Sequence, residues 1–303
     1  MCSGRCAYSA RVRAWPPITD PELLERLALD DRQFRAFARE LAAAFGTREM
    51  TPAILERALG YPWERPARTY LLRGSEVQLL GELDAAARES VVREFARDRY
   101  PILAFGSNAA PVRLEIKLAH FPDEADRTVL VVTGELHDLD VGAAASPTAY
   151  GAMPAALFSS PGTAVRAALL WLTATQVTQL TWSELGYRLG RLDQAHFAVD
   201  EAGIEVGDLF GYVNRYGALC IDGAPVAMAA IPATGRTAPA LTQEELLDHV
   251  ARLALGSEAG AADLVGAVFA DMAALIARVS EHVWPLSQPL APDLWTPYPT
   301  DTR

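Results

Sequence analysis

The chain has 303 residues, of which half are apolar and 21% charged; 27 Lys+Arg stand against 38 Asp+Glu, a formal net charge of -11. This composition excludes a disordered or fibrous chain, and the length suggests about two domains or one large domain with extensions. No run of about 18 apolar residues is present, which excludes a transmembrane helix, and MCSGRCAYSARVRAW at the start has no apolar secretory segment, so a cytoplasmic protein is expected.

Residues 19–97 read as helical. Thr19 or Asp20 caps a helix with Pro21 at its first position. In the next helix Phe34, Phe37, Ala38, Leu41, Ala42 and Phe45 fall on one apolar face, and Gly46 ends it. Thr51-Pro52 opens a third helix closed by Gly60, YPWERPARTYLL is a loop entering a short extended piece, and Asp84 to Arg97 is a fourth helix. The texture changes at Tyr100. PILAF and TVLVVTGEL (128–136) have strand character, with a helix between them over Pro111 to Phe121. Residues 140–165, rich in Ala, Gly, Ser and Pro, suggest loops lining something, with Tyr150, Met153 and Pro154 as possible lining residues. VRAALLWL (165–172) is a strand and Thr175 to Glu184 a short helix. HFAV, DLFGYVNR, GALCI and VAMAAI continue the strand pattern. Thr242 and Glu245 form a capping box, one long helix spans roughly 258–281, and the Pro-rich tail after Trp284 reads as an extended arm pinned by Trp284 and Trp295. The order lacks βαβ alternation. It predicts an α+β fold with a small, mixed-strand, barrel-like sheet in residues 99–235, a helical extension in 1–98, and helices plus tail in 236–303.

Charge is uneven along the chain. Residues 1–100 carry 16 arginines and 15 acids, whereas 101–303 carry 11 bases and 23 acids. The acidic part has no basic patch, which argues against a nucleic-acid partner. Lys117 is the single lysine, so no lysine nucleophile exists elsewhere. Cys2, Cys6 and Cys220 make no disulfide framework; no other Cys or His lies near the first two to complete a metal site, and Cys220 in ALCI reads as core. His137, Asp138 and Asp140 read as a strand-end polar cluster rather than a metal site, because no second histidine is near in sequence. Ser107, Ser159 and Ser160 offer hydroxyls without a Gly-x-Ser-x-Gly elbow.

The most informative short segment is Phe105-Gly106-Ser107-Asn108, between an apolar strand and a helix. Gly106 permits a backbone φ that other residues resist, so successive N–H groups and the helix N-terminus can converge on an anion or a developing oxyanion. Ser107 and Asn108 add a hydroxyl and an amide. The same residues are also ordinary turn chemistry capping a helix.

PILAFGSN resembles the N-terminal strand and loop of the gamma-glutamylcyclotransferase family, an aromatic-Gly-Ser-Asn after an apolar strand. NAAPVRLEIKL resembles the helix start that follows, and residues 151–189 resemble a later strand-turn-strand-helix stretch. Leu180-Thr181-Trp182-Ser183-Glu184 sits where the family has Leu-Asp-x-x-Glu, which places Glu184 on its catalytic glutamate. The likeness covers about residues 100–225. Phe105 stands where the family loop usually has Tyr, Ala109 where it has Leu or similar, and Thr181 where it has Asp.

The resemblance implies a cofactor-independent, metal-free enzyme acting on a small molecule with a γ-glutamyl or related carboxylate group. Phe105, Gly106, Ser107 and Asn108 would bind it, with Tyr187 as a further contact. Glu184 would be the general acid/base that moves a proton from the substrate α-amino group, which closes on the γ-carbonyl and releases 5-oxoproline and an amine. Trp182, Leu185 and Tyr187 beside Glu184 are expected to desolvate it. Two other readings stay open: a non-catalytic member of the fold that binds a small carboxylate or a protein, and an acyl or amide transferase with an outside amine as acceptor. Residues 1–98 are then a lid, a homodimer or partner interface, or a brace. No membrane partner is expected.

Overall fold

Local chemistry sets most element starts in the computed structural model, which describes residues 14–201, 204 and 206–300. Helix α1 (Pro21–Ala28) begins where the Asp20 carboxylate accepts the amides of Glu22 and Leu23. Asp30 and Gln33 form a reciprocal capping box for α2 (Asp31–Ala44), and Thr51 caps α3 (Pro52–Leu59). A hairpin of β1 (Tyr70–Arg73) and β2 (Glu76–Leu79) follows, then α4 (Ala85–Arg97) capped by Asp84, β3 (Tyr100–Ala104) and α5 (Pro111–Leu118).

The long strands β4 (Thr128–Ala143) and β5 (Ala155–Leu172) form the central hairpin. After it come α6 (Ala174–Trp182), β6 (Tyr187–Leu192), β7 (His196–Val199), β8 (Phe210–Asn214) and β9 (Ala218–Ile221). Four two-residue strands follow: β10 (Ala224–Pro225), β11 (Ala227–Met228), β12 (Ala233–Thr234) and β13 (Ala240–Leu241). The C-terminal part holds α7 (Gln243–Leu255), α8 (Ala261–Ala270), α9 (Met272–His282), β14 (Ser287–Gln288) and β15 (Trp295–Pro297).

The fold is mixed α+β, with nine helices among the described residues and a 12-stranded mixed sheet. The main path runs β13-β11-β4-β5-β3-β8-β6-β15, with β1 and β7 also on β4 and β12 on β5. This path ends in two short edge strands, so the sheet is large and mixed and forms no closed barrel among the described residues. Residues 70–73 belong to it through the β1–β4 pairing, so part of the N-terminal region is built into the central sheet.

Both faces of the sheet are covered, which explains its runs of apolar residues. In β3, Ile102 and Ala104 face one core with Leu114, Leu118, Val177 and Leu180 from α5 and α6. Leu103 and Phe105 face the other core, which takes in α7, α8 and α9.

Two expectations fail for identifiable reasons, and one strand was not anticipated. Residues 140–165 are mainly strand: β4 runs to Ala143 and β5 starts at Ala155, because small residues on both partners let the long hairpin pair closely. Only 144–154 is loop. The single helix over 258–281 is two helices broken at Asp271, which has φ -157° and caps α9 by accepting the Ala274 amide. The YRLGRL segment is strand β6, an element not anticipated. The tail is pinned by Trp284 and Trp295 as expected: β15 pairs with β6, Gly190 leaves room for the Trp295 ring, and Trp284 stacks on Tyr216 at 4.8 Å.

Candidate functional site

Strand direction assembles the site. β8 runs parallel to β3, so their C-terminal ends lie together, and β6 is antiparallel to β8 with Tyr187 opposite Asn214. The loop after β3 and the turn before β6 therefore meet at one edge of the sheet. That turn, after the C-cap Ser183 of α6, carries Glu184. Asn108 and Glu184, 76 residues apart, are joined by an Asn108 Nδ2–Glu184 Oε1 hydrogen bond of 3.0 Å.

A third residue completes the cluster. Lys117 Nζ donates to Glu184 Oε1 and, at 2.6 Å, to Asn108 Oδ1. The two charged side chains retain only 7% and 13% of their exposure. Burial pushes the Lys117 ammonium below the ordinary lysine range, against the opposing attraction of the Glu184 carboxylate. The sequence reading passed over Lys117 as a site residue. Its signal was there: it is the single lysine, and four residues after Arg113 it shares a face of α5 with that residue.

These groups lie in a cavity of about 320 Å³, which Phe105, Gly106, Ser107, Asn108, Glu184 and Tyr187 all line. The cavity thus brings together all six residues singled out in the sequence. Tyr61, Tyr150 and Tyr212 line it as well; burial raises these hydroxyls and that of Tyr187 above the usual tyrosine range, so they are neutral O–H groups near neutral pH. Tyr187 donates to the Ala155 carbonyl at 2.7 Å, and Tyr61 accepts the Ala155 amide at 2.9 Å.

The loop differs from expectation in its backbone. Gly106 has φ -117°, not a positive value. Glycine is required by space: a Cβ there would stand 2.6 Å from the Tyr61 hydroxyl and 2.9 Å from the Ala155 Cβ. The following residues, Ser107–Ala109, form a 3-10 turn whose Ala109 and Ala110 amides bond back to the Gly106 and Ser107 carbonyls. Pro111 brings no N–H, the Ala109 and Ala110 amides are used within the turn, and the Ser107 amide and hydroxyl lie against the Tyr61 hydroxyl, so the expected cradle of converging amides is not formed. Phe105 is 5% exposed and anchors the loop in the core, and its carbonyl accepts from Arg65 at 3.2 Å.

Glu184 also differs. Its hydrogen-bonding partners are a cation and an amide, which sequence did not show, while Trp182, Leu185 and Tyr187 line the same cavity. The Trp182 indole is turned to Asp20, 2.9 Å away. Thr181 is structural, bonding the Tyr212 hydroxyl at 2.9 Å and the Val177 carbonyl. Tyr150 and Pro154 line the cavity as foreseen, whereas Met153 is core.

Elsewhere, His137 faces His196 across β4 and β7 with ring centroids 5.0 Å apart, a neighbour invisible in sequence. Asp140 is fully buried in a two-bond pair with Arg236. Among the described residues no group of three or more His, Cys, Asp or Glu is placed to hold a metal, and no helix is long and apolar enough to cross a membrane. Cys220 is buried, while Cys2 and Cys6 lie outside the described residues. No protein-family model, curated protein or solved structure matches this chain.

Proposed function

We propose that the protein is a cyclotransferase of gamma-glutamylcyclotransferase type, cleaving a γ-glutamyl amide to 5-oxoproline and a free amine. One observation carries the reading: Glu184 and the Ser107–Asn108 loop, remote in sequence, meet in one cavity at the C-terminal end of β3.

The chemistry needs no co-reactant. The substrate α-ammonium gives a proton to the Glu184 carboxylate, and the freed amine forms a C–N bond to the γ-carbonyl carbon. The Ser107–Asn108 loop, with the neutral Tyr61 hydroxyl beside it, lines the cavity and would supply the donors that meet the oxygen as charge develops on it. The carboxyl group returns the proton to the leaving nitrogen as the old C–N bond breaks. A second proton from the ring nitrogen takes the same route, so the amine leaves as an ammonium. Because the attacking nitrogen belongs to the substrate, binding in a folded shape removes much of the entropic barrier. Arg113 and Lys117, on one face of α5, supply positive charge for the substrate α-carboxylate. Substrate binding must then draw Lys117 from Glu184 toward that carboxylate, freeing the base.

The experiment is incubation with γ-glutamyl amides and detection of 5-oxoproline by mass spectrometry. Release that is lost in Glu184→Gln supports the reading; release that survives this change overturns the mechanism. A second reading, a non-catalytic binder of small carboxylates on this fold, is favoured by the Lys117–Glu184 pair, which occupies the would-be base. It predicts carboxylate binding by calorimetry with no 5-oxoproline from any amide.

A further inference from the structure

The charged residues that line the cavity are Arg113, Lys117 and Glu184, from α5 and the turn after α6. Another part of the lining comes from α2 and α9: Phe34, Phe37, Leu41, Phe45, Met272 and Ile276. The α2 residues form one stripe at helical spacing. Its first member, Phe34, is buried, and Phe37 is half-buried; Leu41 is 42% exposed and Phe45, the helix C-cap residue, 39%. The stripe thus runs past what the protein covers and into the cavity.

The charges that reach this wall are mostly positive; the acid at the start of α2, Asp31, is paired with Arg188 and does not line the cavity. No acidic residue other than Glu184 lines the cavity among the described residues, and Glu184 is already paired. Nearby cations lie against the aromatic rings: Arg215 is 4.4 Å from the Phe34 ring and Arg48 is 5.1 Å from the Phe45 ring. A fixed positive charge elsewhere on the amine portion of the bound substrate would find repulsion there and no carboxylate to meet it.

We infer that the amine portion of the substrate is neutral and apolar, an aromatic or medium-chain alkyl group that covers the α2 stripe. The inference rests on the cyclotransferase reading, with the γ-glutamyl portion at Lys117 and Glu184 and the amine portion on α2. The occupant follows from continuity: stripe and reacting groups line one cavity of about 320 Å³, at the small end of the roughly 300–1,000 Å³ range of small-molecule sites.

The test uses the full chain and four γ-glutamyl amides: of methylamine, n-hexylamine, 2-phenylethylamine, and 1,5-diaminopentane as the cationic control. Turnover is read as 5-oxoproline and binding by calorimetry. The expected result is a ladder in kcat/KM, about fourfold per methylene buried, with the diamine amide below the hexylamide. Leu41→Asp and Phe45→Glu, at exposed positions that the fold tolerates, each reduce the hexyl-to-methyl preference at least tenfold. Equal turnover of all four amides, or preference for the diamine amide, overturns the inference and leaves the cyclotransferase reading standing. Absence of 5-oxoproline with the same ladder in Kd overturns the cyclotransferase reading and keeps the apolar wall as a ligand site. Absence of both overturns the two together. If the stripe is instead covered by a second copy, light scattering shows a dimer that Leu41→Asp dissociates, and the inference fails.

Discussion

Replacing Lys117 by methionine keeps an unbranched side chain of nearly the same length and removes its charge. The effect follows from the burial of the pair, with side chains 7% and 13% exposed. Removing one partner of a buried ion pair costs about 3–5 kcal/mol, because the other charge stays behind unpaired. Glu184 keeps the Asn108 amide at 3.0 Å and a little solvent, so the cost falls at the lower end, about 3 kcal/mol. At this chain length that lowers Tm by about 6 °C, measured by calorimetry or circular dichroism. Adding Glu184→Gln removes the stranded charge, so the double variant should be more stable than Lys117→Met alone. The pH dependence has a defined sign. Burial depresses the folded pKa of Lys117 below the unfolded value of about 10.4, so the unfolded chain binds more protons between the two. The charged lysine's penalty is thus full below the folded pKa and fades as pH rises toward the unfolded one. Wild-type stability relative to Lys117→Met therefore rises with pH in that alkaline window. A double variant no more stable than the single one, or a flat difference between the two pH profiles, refutes the argument.

Three further outcomes are expected. Glu184→Gln keeps an oxygen acceptor for Lys117 and Asn108 but takes away the counter-charge of the buried ammonium, so it should cost stability, up to about 3 kcal/mol by thermal melting, and lose about 10²–10⁴-fold in 5-oxoproline formation by the protein that stays folded. Gly106→Ala forces a Cβ to 2.6 Å from the Tyr61 hydroxyl and should cost about 1–3 kcal/mol in a denaturant titration; Tyr61→Phe on top should cost less than it does alone, since it relieves that contact. Arg236→Met strands the fully buried Asp140 carboxylate and should destabilise by about 3–5 kcal/mol, whereas a change at exposed Arg39 stays within about 0.5 kcal/mol.

Features set by neighbours in the chain were legible from residues alone. Asp20, Thr51, Asp84 and Thr242 sit where helices begin because a side-chain oxygen reaches an amide two or three residues ahead. PILAF reads as a strand because both faces of the sheet are dry. The loop Phe105–Asn108 and Glu184 came from sequence through a resemblance, and the structure puts them in one cavity. The 258–281 segment was misread because an apolar period continues across Asp271, and only the cap shows the break.

What the tertiary structure alone decided is which distant groups share a space. The parallel β3–β8 pairing and antiparallel β6–β8 pairing bring Glu184 to Asn108. The turn of α5 delivers Lys117 to both, and turns an isolated lysine into the partner of the proposed base. The role of Gly106 belongs to the same class, since its reason is the position of Tyr61, 45 residues away in sequence. Caps and periodicities are local and are written in the chain within a few residues. Contacts, charge pairing and burial depend on the path of the whole sheet, which no short segment specifies.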